Sequence, residues 1–342
     1  MPKPQVTIVV PHYRPGMLEL LLESLGSKKC EVSFSLILVD DRPRKTPLTT
    51  LREKYPWMEI ESSGSKSGYG ASCNRGAKLA KAKYLLFLND DVEVTAGWLD
   101  SLLVAYEAED SIGACVPKIL CGRKRSQFDH SGAAGGEMDR FGYPFARGRL
   151  FGVREVDSGQ YDFARDIVWG SGAALLIRRD RFLALGGFDE SYHMQMEDID
   201  LCWRLQQEGF RIRYVAESAV YHVNGWSLAR GSFRKQYLNH CNNLTFLLKN
   251  WTWRELAVAL PGRGVLELCG LLYTLTHWRR LPQGGAILCA WAAAVWSLPR
   301  VMAGRTKQLP KHRACGAQLY GGSVAIEHFI FQRQTTRELK HL

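Results

Sequence analysis

The stretch YLLFLNDDVEV, residues 84–94, decides how the rest of the chain is interpreted. Five apolar or aromatic residues, typical of a buried β-strand, are followed at once by Asn89, Asp90 and Asp91. A strand buried on both faces is typical of a parallel sheet covered by helices, and carboxylates at its end can hold a hard divalent cation. An isolated Asp-Asp pair is more often a solvated acidic turn, so the surrounding sequence must decide between these interpretations.

Strand-like and helix-like patterns alternate around this stretch. The strands VTIVV and FSLILVD precede it, IGACV follows it, and helical patterns lie between them. The alternation predicts an α/β fold with a doubly wound, mostly parallel sheet flanked by helices. Ligands of such sheets bind beyond the carboxyl ends of the strands. We therefore expect the polar residues after three strands to share one cleft: Pro11, His12 and Tyr13, then Asp40 and Asp41, then 89–91. Residues 122–166, rich in Gly and Arg, predict a long excursion or a β-hairpin region.

The 342 residues carry a net charge of +11, with 46% apolar and 23% charged residues. These fractions are ordinary for a folded protein, and the length suits one large domain with a C-terminal appendage. The positive charge favours an anionic partner, for which nucleic acid, anionic lipid and a nucleoside diphosphate all qualify. The sequence has no zinc-finger spacing or RNA-binding signature, so we expect no nucleic-acid partner.

The cysteines and the first residues of the sequence indicate in which cellular compartment the protein is located. Nine cysteines are scattered from Cys30 to Cys315 with no CxxC pair, which argues against a disulfide framework or a zinc site. The opening residues MPKPQVTIVV have no apolar signal core. We therefore expect a cytoplasmic protein with reduced thiols.

Two further segments carry candidate chemistry. In MEDIDLCWRLQQEG, Glu197 and Asp198 fall in the first turn of an amphipathic helix, where they either complement the helix dipole or supply a general base; Asp198 is the candidate base. In AVYHVNGWS, His222 follows a strand-like run and is either a packed histidine or a metal ligand together with Asp91. Imidazole plus carboxylate suits Mn²⁺ and tolerates Mg²⁺.

The Gly-rich stretch GSKSGYGASCNRGA precedes a helix. Its backbone amides could approach a phosphate or a sugar, although an ordinary flexible loop explains it equally well. It matches neither a Walker loop nor the GxGxxG fingerprint, which disfavours an ATPase or a dehydrogenase.

Taken in order, seven segments resemble glycosyltransferase family 2, and most closely its rhamnosyltransferase-like branch with the GT-A fold. The resemblance spans roughly residues 5–230. The segments are TIVVPHYRP, LILVDD, GYGASCNRGAKLAKAKYLLFLNDDVEV, WGSGAALLIRR, GGFDESY, EDIDLCWRL and AVYHVNGWS.

The resemblance implies a role for each of these positions. Asp91 would be the principal ligand of Mn²⁺ or Mg²⁺ with His222 as a second ligand, and Asp198 would be the catalytic base with Glu197 beside it. The donor, a nucleoside-diphosphate sugar, would contact Pro11, Tyr13, Asp40, Asp41, Gly68, Asn74, Asn89 and Asp90. The reaction would be a single inverting displacement onto a saccharide or lipid-linked acceptor. Asn89 departs from the family's usual Asp, and His12 stands where Asn is common.

The sequence divides into a GT-A domain over residues 1–230 and a helical C-terminal region over residues 231–342. In the latter, the apolar pattern of residues 256–298 is broken by Pro261, Arg263 and Glu267, so no uninterrupted apolar run reaches the ~20 residues of a spanning helix. We expect helices that lie at the inner face of the cell membrane, helped by Trp residues and a basic tail of Arg300, Arg305, Lys307, Lys311 and Arg313. A helical cap or a dimer surface is the alternative.

Two other functions compete with sugar transfer. A sugar nucleotidyltransferase would want a Gly-rich, basic loop after the first strand, and PHYRPG fits this poorly. A non-catalytic nucleotide-sugar or polysaccharide-binding protein could dispense with Asp198. The sequence defines neither the donor sugar, for which rhamnose is the expectation of the branch, nor the acceptor or the oligomeric state.

Overall fold

A computed structural model describes residues 3–13, 17–27, 30–41, 49–64, 66–223, 232–276, 280–305 and 319–339. Lys307, Lys311 and Arg313 of the basic tail lie outside the described residues, as do the last four residues of AVYHVNGWS. The strands are β1 (Val6–His12), β2 (Phe34–Asp40), β3 (Met58–Ser62), β4 (Tyr84–Leu88), β5 (Val92–Val94), β6 (Ile112–Cys121), β7 (Lys124–Phe128), β8 (Gly136–Met138), β9 (Pro144–Ala146), β10 (Arg149–Leu150), β11 (Val153–Arg154), β12 (Arg165–Ile167), β13 (Ala174–Arg178) and β14 (Arg211–His222).

The helices follow the predicted alternation. They are α1 (Leu18–Ser27), α2 (Thr49–Lys54), α3 (Tyr69–Leu79), α4 (Trp98–Glu107), α5 (Arg179–Ala184), α6 (Glu197–Gln207), α7 (Phe233–Asn250), α8 (Trp253–Leu275), α9 (Leu281–Arg305) and α10 (Val324–Phe329), with a short 3-10 helix at Thr336–Glu338.

The central sheet has the strand order β12-β14-β6-β13-β4-β1-β2-β3, with β5 paired to β14 and β7 to β6. Strands β4, β1, β2 and β3 run parallel, as do β6 and β14, whereas β13 runs antiparallel to both of its neighbours. The predicted α/β fold with a mostly parallel sheet is confirmed. Residues 122–166 form β7 to β11 and the start of β12, including a second, four-stranded antiparallel sheet.

Two hydrophobic cores cover the two faces of the central sheet. Along β4 the side chains alternate, so that Leu85 and Phe87 pack into one core while Leu86 and Leu88 pack into the other. This alternation follows from the two-residue period of a strand and explains why the whole segment is apolar. The polar residues that follow β4 therefore lie at the carboxyl end of the strand, where the two cores end.

The first of these cores continues past residue 230. Phe246, Leu247 and Trp251 at the end of α7 pack in the same cluster as Trp203 of α6, and Ala259 of α8 extends it. The ring of Trp203 lies 5.6 Å from Phe246 and 6.1 Å from Trp251, measured between centroids. The division drawn from the sequence at residue 230 therefore cuts through a shared core.

Helices α8 and α9 are longer than the sequence suggested. α8 runs for 23 residues through Pro261, and α9 runs for 25 residues through Pro299. Both are long and apolar enough to cross a membrane by length and composition, which by itself is weak support for such a role. The sequence predicted that Pro261, Arg263 and Glu267 break the apolar pattern. The helix instead continues through Pro261, and Arg263 and Glu267 are buried, so they do not interrupt its exposed apolar face.

Candidate active site

The polar residues at the strand ends meet at one edge of the central sheet, as the sequence predicted. The backbone N–H of Asn89 donates to the carbonyl oxygen of Ala173 at 3.0 Å, and Nδ2 of Asn89 lies 3.4 Å from Nε2 of His222. The backbone N–H of Gly172 donates to Oδ2 of Asp198 at 3.0 Å. Residues 172–173 therefore connect the polar end of β4 to the start of α6.

A carboxylate, an imidazole and a second carboxylate lie in a row at the end of β14. Nε2 of His222 lies 2.9 Å from Oδ1 of Asp91, and its Nδ1 lies 2.9 Å from Oδ1 of Asp129. All three side chains are largely buried. Burial lowers the pKa of His222, but the carboxylates of Asp91 and Asp129 raise it by more. The pKa of His222 therefore lies well above its usual range. Burial likewise acts to raise the pKa of Asp91, and the facing His222 lowers it.

These residues fit a divalent cation. Ligands at about 2.1 Å from a metal and at right angles to each other lie about 3 Å apart, which is close to the 2.9 Å between Nε2 of His222 and Oδ1 of Asp91. Metal-bound histidines usually hydrogen-bond a carboxylate through their other ring nitrogen, and Asp129 occupies that position. In the part of the chain that the structure describes, no group of three or more His, Cys, Asp or Glu side chains could hold a metal ion. Protein atoms would therefore supply only part of the coordination.

Asp90 points to the neighbouring strand. Its Oδ2 lies 2.6 Å from Nδ1 of His12, the buried last residue of β1. Burial raises the pKa of Asp90, although His12 opposes the shift. His12, where the family commonly has Asn, thus provides a hydrogen-bonding partner for the middle residue of the Asn-Asp-Asp motif.

Asp41 holds the Gly-rich loop. Its Oδ1 accepts hydrogen bonds from the backbone N–H and the hydroxyl of Ser67, at 2.7 and 2.6 Å, and its Oδ2 accepts one from the N–H of Gly68 at 2.9 Å. Gly68 has φ +95, and a Cβ there would lie 2.9 Å from the carbonyl oxygen of His193. The loop is therefore fixed against both β2 and the segment that precedes α6.

The remaining donor candidates lie around this loop. Tyr13 is exposed, with Nζ of Lys66 4.4 Å from the centre of its ring. Asp40 is buried at the end of β2, and Pro11 lies in β1 opposite Val39. These positions are compatible with a nucleotide lying across the ends of β1 and β2.

Asn74, which the sequence predicts to lie beside the donor, also hydrogen-bonds the turn that contains Phe188. Its Nδ2 donates to the carbonyl oxygen of Phe188 and to Oε1 of Glu190, each at 2.9 Å, and its Oδ1 accepts from the N–H of Phe188 at 2.8 Å. Gly187 has φ +76, and a Cβ there would lie 2.3 Å from Oδ1 of Asn74. Asn74 therefore fixes the GGFDE turn.

Glu197 and Asp198 begin α6, as predicted. Asp198 accepts hydrogen bonds from the N–H groups of Gly172 and Ile199, while Oε2 of the buried Glu197 has no hydrogen-bond partner among the residues that the structure describes. Burial raises the pKa of Glu197 to about 8, and the charge of Asp198 adds to this shift. Burial also raises the pKa of Asp198, against the effect of its two hydrogen bonds. A buried acid beside a hydrogen-bonded carboxylate is an arrangement typical of catalytic sites.

The backbone before α6 is strained. Gln195 and Met196 both have left-handed conformations, with φ of 73 and 78. Two consecutive residues of this kind, neither of them glycine, cost on the order of 1–3 kcal/mol each and persist only where their surroundings hold them. Nδ2 of Asn242 in α7 donates to the carbonyl oxygens of Met194 and Gln195, at 2.8 and 3.0 Å.

Sequence reasoning missed Asp129 and Asn242. Asp129 follows β7 in a stretch without periodicity, and Asn242 lies on a helix that the sequence assigned to the C-terminal region. Neither position carries a local signal of its contact, because each contacts a residue at least 47 positions away in the chain.

Comparison with known proteins finds similarity to glycosyltransferases. Residues 7–162 match the family model described as glycosyl transferase family 2. The chain is 31% identical over 223 residues to the O-antigen biosynthesis protein RfbC of Myxococcus xanthus, covering 64% of this chain but only 17% of that protein. It is 28% identical over 305 residues to the N-acetylglucosaminyl-diphospho-decaprenol L-rhamnosyltransferase of Mycobacterium tuberculosis, covering 80% of this chain and 94% of the relative.

Solved structures agree on the fold. The structure of GalNAc-T7 with UDP, GalNAc and Mn²⁺ superposes with a TM-score of 0.57 at 16% identity, covering 73% of this chain and 48% of that one. Residues 1–349 of TarS from S. aureus give 0.53 at 17% identity, covering 88% and 83%. The chain therefore shares the GT-A-like fold of these two proteins.

One further relative is similar over most of both chains. The chain is also 26% identical to rhamnosyltransferase WbbL of Escherichia coli K12 over 257 residues, covering 72% of this chain and 88% of the relative. Residues 7–162 are thus similar to glycosyl transferase family 2, and two of the relatives that the chain matches over most of their length are named as rhamnosyltransferases.

Proposed function

We propose that this protein is an inverting, metal-dependent glycosyltransferase. It moves a sugar, rhamnose by analogy with its relatives, from a nucleoside-diphosphate sugar to a saccharide or lipid-linked acceptor in cell-surface polysaccharide synthesis. The observation that carries the proposal is the pairing of Asp91 with His222 at 2.9 Å beside the β4 end, which residues 172–173 connect to Asp198. This arrangement would provide a cation site and a base at one edge of the sheet.

The donor would lie across the ends of β1, β2 and β4. Mn²⁺ or Mg²⁺ held by Asp91 and His222 would neutralise the charge that develops on the departing nucleoside diphosphate. Lys66, beside Tyr13, adds a positive charge on the same side. The nucleotide base would contact Pro11, Tyr13, Asp40 and Asp41; Asp90 would face the ribose; and Gly68, Asn74 and Asn89 would border the rest of the donor.

Asp198 would take the proton from the acceptor hydroxyl while that oxygen attacks the anomeric carbon. Burial raises the pKa of Asp198, which makes the carboxylate a stronger base than an exposed aspartate. Glu197, with its pKa raised to about 8, remains protonated near neutral pH and so adds no second negative charge beside the base. The single displacement needs no covalent intermediate with the protein.

We place the enzyme in the cytoplasm, in peripheral contact with the inner face of the cell membrane. A lipid-linked acceptor, such as the one that the name of the mycobacterial relative specifies, presents its sugar at that surface. Two long apolar helices in the C-terminal half are compatible with this location.

The test is binding and turnover across a panel of nucleotide sugars, by calorimetry and nucleotide release, with and without Mn²⁺ or Mg²⁺. We expect one donor to bind the wild type with metal. Asp91→Ala should abolish the metal-dependent binding. Asp198→Asn should keep donor binding but lower turnover by about 10²–10⁴-fold, because it removes only the base.

Asp180→Asn, on an exposed site of α5, is the matched control and should behave as the wild type. If no nucleotide sugar binds with or without metal, the transferase mechanism fails and a binding role becomes the better account. If Asp198→Asn turns over at the wild-type rate, the base has been assigned to the wrong residue.

A further inference from the structure

Helix α8 buries two charged residues while its outer face exposes apolar ones, which is unusual for a helix on a water-facing surface, and α9 also exposes apolar residues. The charged side chains of Arg263 and Glu267 are only 2% and 4% exposed. Nε of Arg263 donates to Oε1 of Glu267 at 2.8 Å, and Nε1 of Trp291 in α9 donates to Oε2 at 2.6 Å. Arg263 also contacts Asn243 and Glu267 contacts His240, both in α7, so the two buried charges are paired within the helical packing.

The outer faces of the same helices are apolar. The exposed residues recur every three to four positions or at multiples of a turn, which places them on one stripe of each helix. Trp296 is 89% exposed. The stripes include Val265, Leu268 and Leu272 on α8 and Leu288, Val295 and Trp296 on α9. A groove of about 720 Å³ opens on α9 between Trp291 and Pro299 and has no charged residue in its lining.

Among the described residues, the exposed charges on α8 and α9 and directly before α9 are positive. Arg254, Arg280 and Arg300 are exposed, at the start of α8, just before α9 and near the end of α9. The only acidic residues on α8 and α9 are Glu255, which caps α8 through Thr252, and the buried Glu267. A two-fold contact between copies would bring arginines near arginines, whereas anionic headgroups would attract all three.

We propose that the outer face of α8 and α9, here called the α8–α9 face, lies on a bilayer that contains anionic lipid, with its apolar stripes among the acyl chains and its arginines among the headgroups. The inference deepens the proposed membrane location by naming the surface. α7 lies between this face and the active site: its Asn243 donates to the carbonyl oxygen of Gly142 and contacts Arg263 of α8, while its Asn242 binds the backbone before α6. The face therefore holds the catalytic base at a fixed distance from the lipid.

The experiment is flotation of the purified full chain with vesicles of phosphatidylcholine, alone or mixed with phosphatidylglycerol. We expect the wild type to float with the mixed vesicles, and salt to weaken this binding because the attraction is partly electrostatic. The variant L272Q/V295Q/W296Q should bind at least about tenfold more weakly, since it removes exposed apolar area. Val104→Gln on α4, which replaces another exposed valine, is the matched control and should bind as the wild type.

The proposal is overturned if the wild type stays unbound with both vesicle types, or if the triple variant binds as well as the wild type. A wild-type dimer in solution that the triple variant dissociates would assign the face to a second copy instead. Nucleotide release, measured without vesicles, separates this proposal from the proposed function. If the triple variant loses vesicle binding but releases nucleotide normally, the result supports membrane binding by the α8–α9 face. If the wild type binds vesicles but releases no nucleotide, only the transferase mechanism is contradicted.

Discussion

Glu197 links the chemistry of the site to the stability of the protein. Its pKa rises from 4.5 to about 8 on folding, chiefly through burial. Between these values the folded protein holds a proton that the unfolded chain releases, so the free energy of unfolding falls as pH rises, by at most about 1.4 kcal/mol per pH unit. Below the lower value both states hold the proton and the contribution of this group is fully present.

Glu197→Gln should therefore gain stability relative to the wild type as pH rises. The glutamine is neutral in both states, so this source of pH dependence disappears. Urea unfolding at several pH values between about 5 and 8 measures the difference, which should grow steadily with pH. Glu23→Gln, at an exposed position of α1, is the control and should show no growing difference in stability with pH. A difference that stays constant with pH would show that Glu197 is not held as a buried acid.

At the scale of the helix, α7 holds the base in place. Asn242 donates both of its described hydrogen bonds to the strained backbone before α6. Asn242→Asp keeps the size but loses the donors and sets a carboxylate against two carbonyl oxygens. We expect kcat to fall by about 10–100-fold with unchanged donor affinity, because the donor contacts lie on β1, β2 and β4. Single-turnover rates and donor titration measure the two effects separately.

Asn239→Asp on the exposed side of the same helix should change neither quantity. Adding Gln195→Gly to Asn242→Asp should restore part of the rate, since glycine adopts the left-handed conformation without strain. If Asn242→Asp changes donor affinity rather than kcat, α7 acts on the donor side and the positioning role is wrong.

The elements themselves were largely predictable from the sequence. β2 spans the predicted FSLILVD and α6 spans the predicted residues 197–207, because period and polarity are local properties. The long-range contacts were not. Asp129 orients His222 across 93 positions, and nothing in the sequence around Asp129 marks it. Arg263 and Glu267 of α8 were visible in the sequence, but only the packing shows that they face inward.

At the scale of the whole molecule, the shared core predicts a single unfolding unit. Trp251 follows α7 and is 1% exposed, packed against Trp203 of α6, whereas Trp253 two positions later is 61% exposed. Trp251→Ala should therefore destabilise the protein by about 3–5 kcal/mol, because it leaves a cavity in the core that α6 shares with α7. Trp253→Ala is the matched control and should cost far less, since its ring is mostly in solvent.

Calorimetry distinguishes the two descriptions of the chain. If the core is continuous across residue 230, Trp251→Ala lowers the temperature of one transition that also reports unfolding of the active site, detected as loss of donor binding over the same temperature range. If residues 231–342 formed an independent domain, the substitution would shift only a separate transition and leave donor binding at its original temperature. Because Trp203 lies in α6 with Asp198 and contacts Trp251 directly, we expect the single transition.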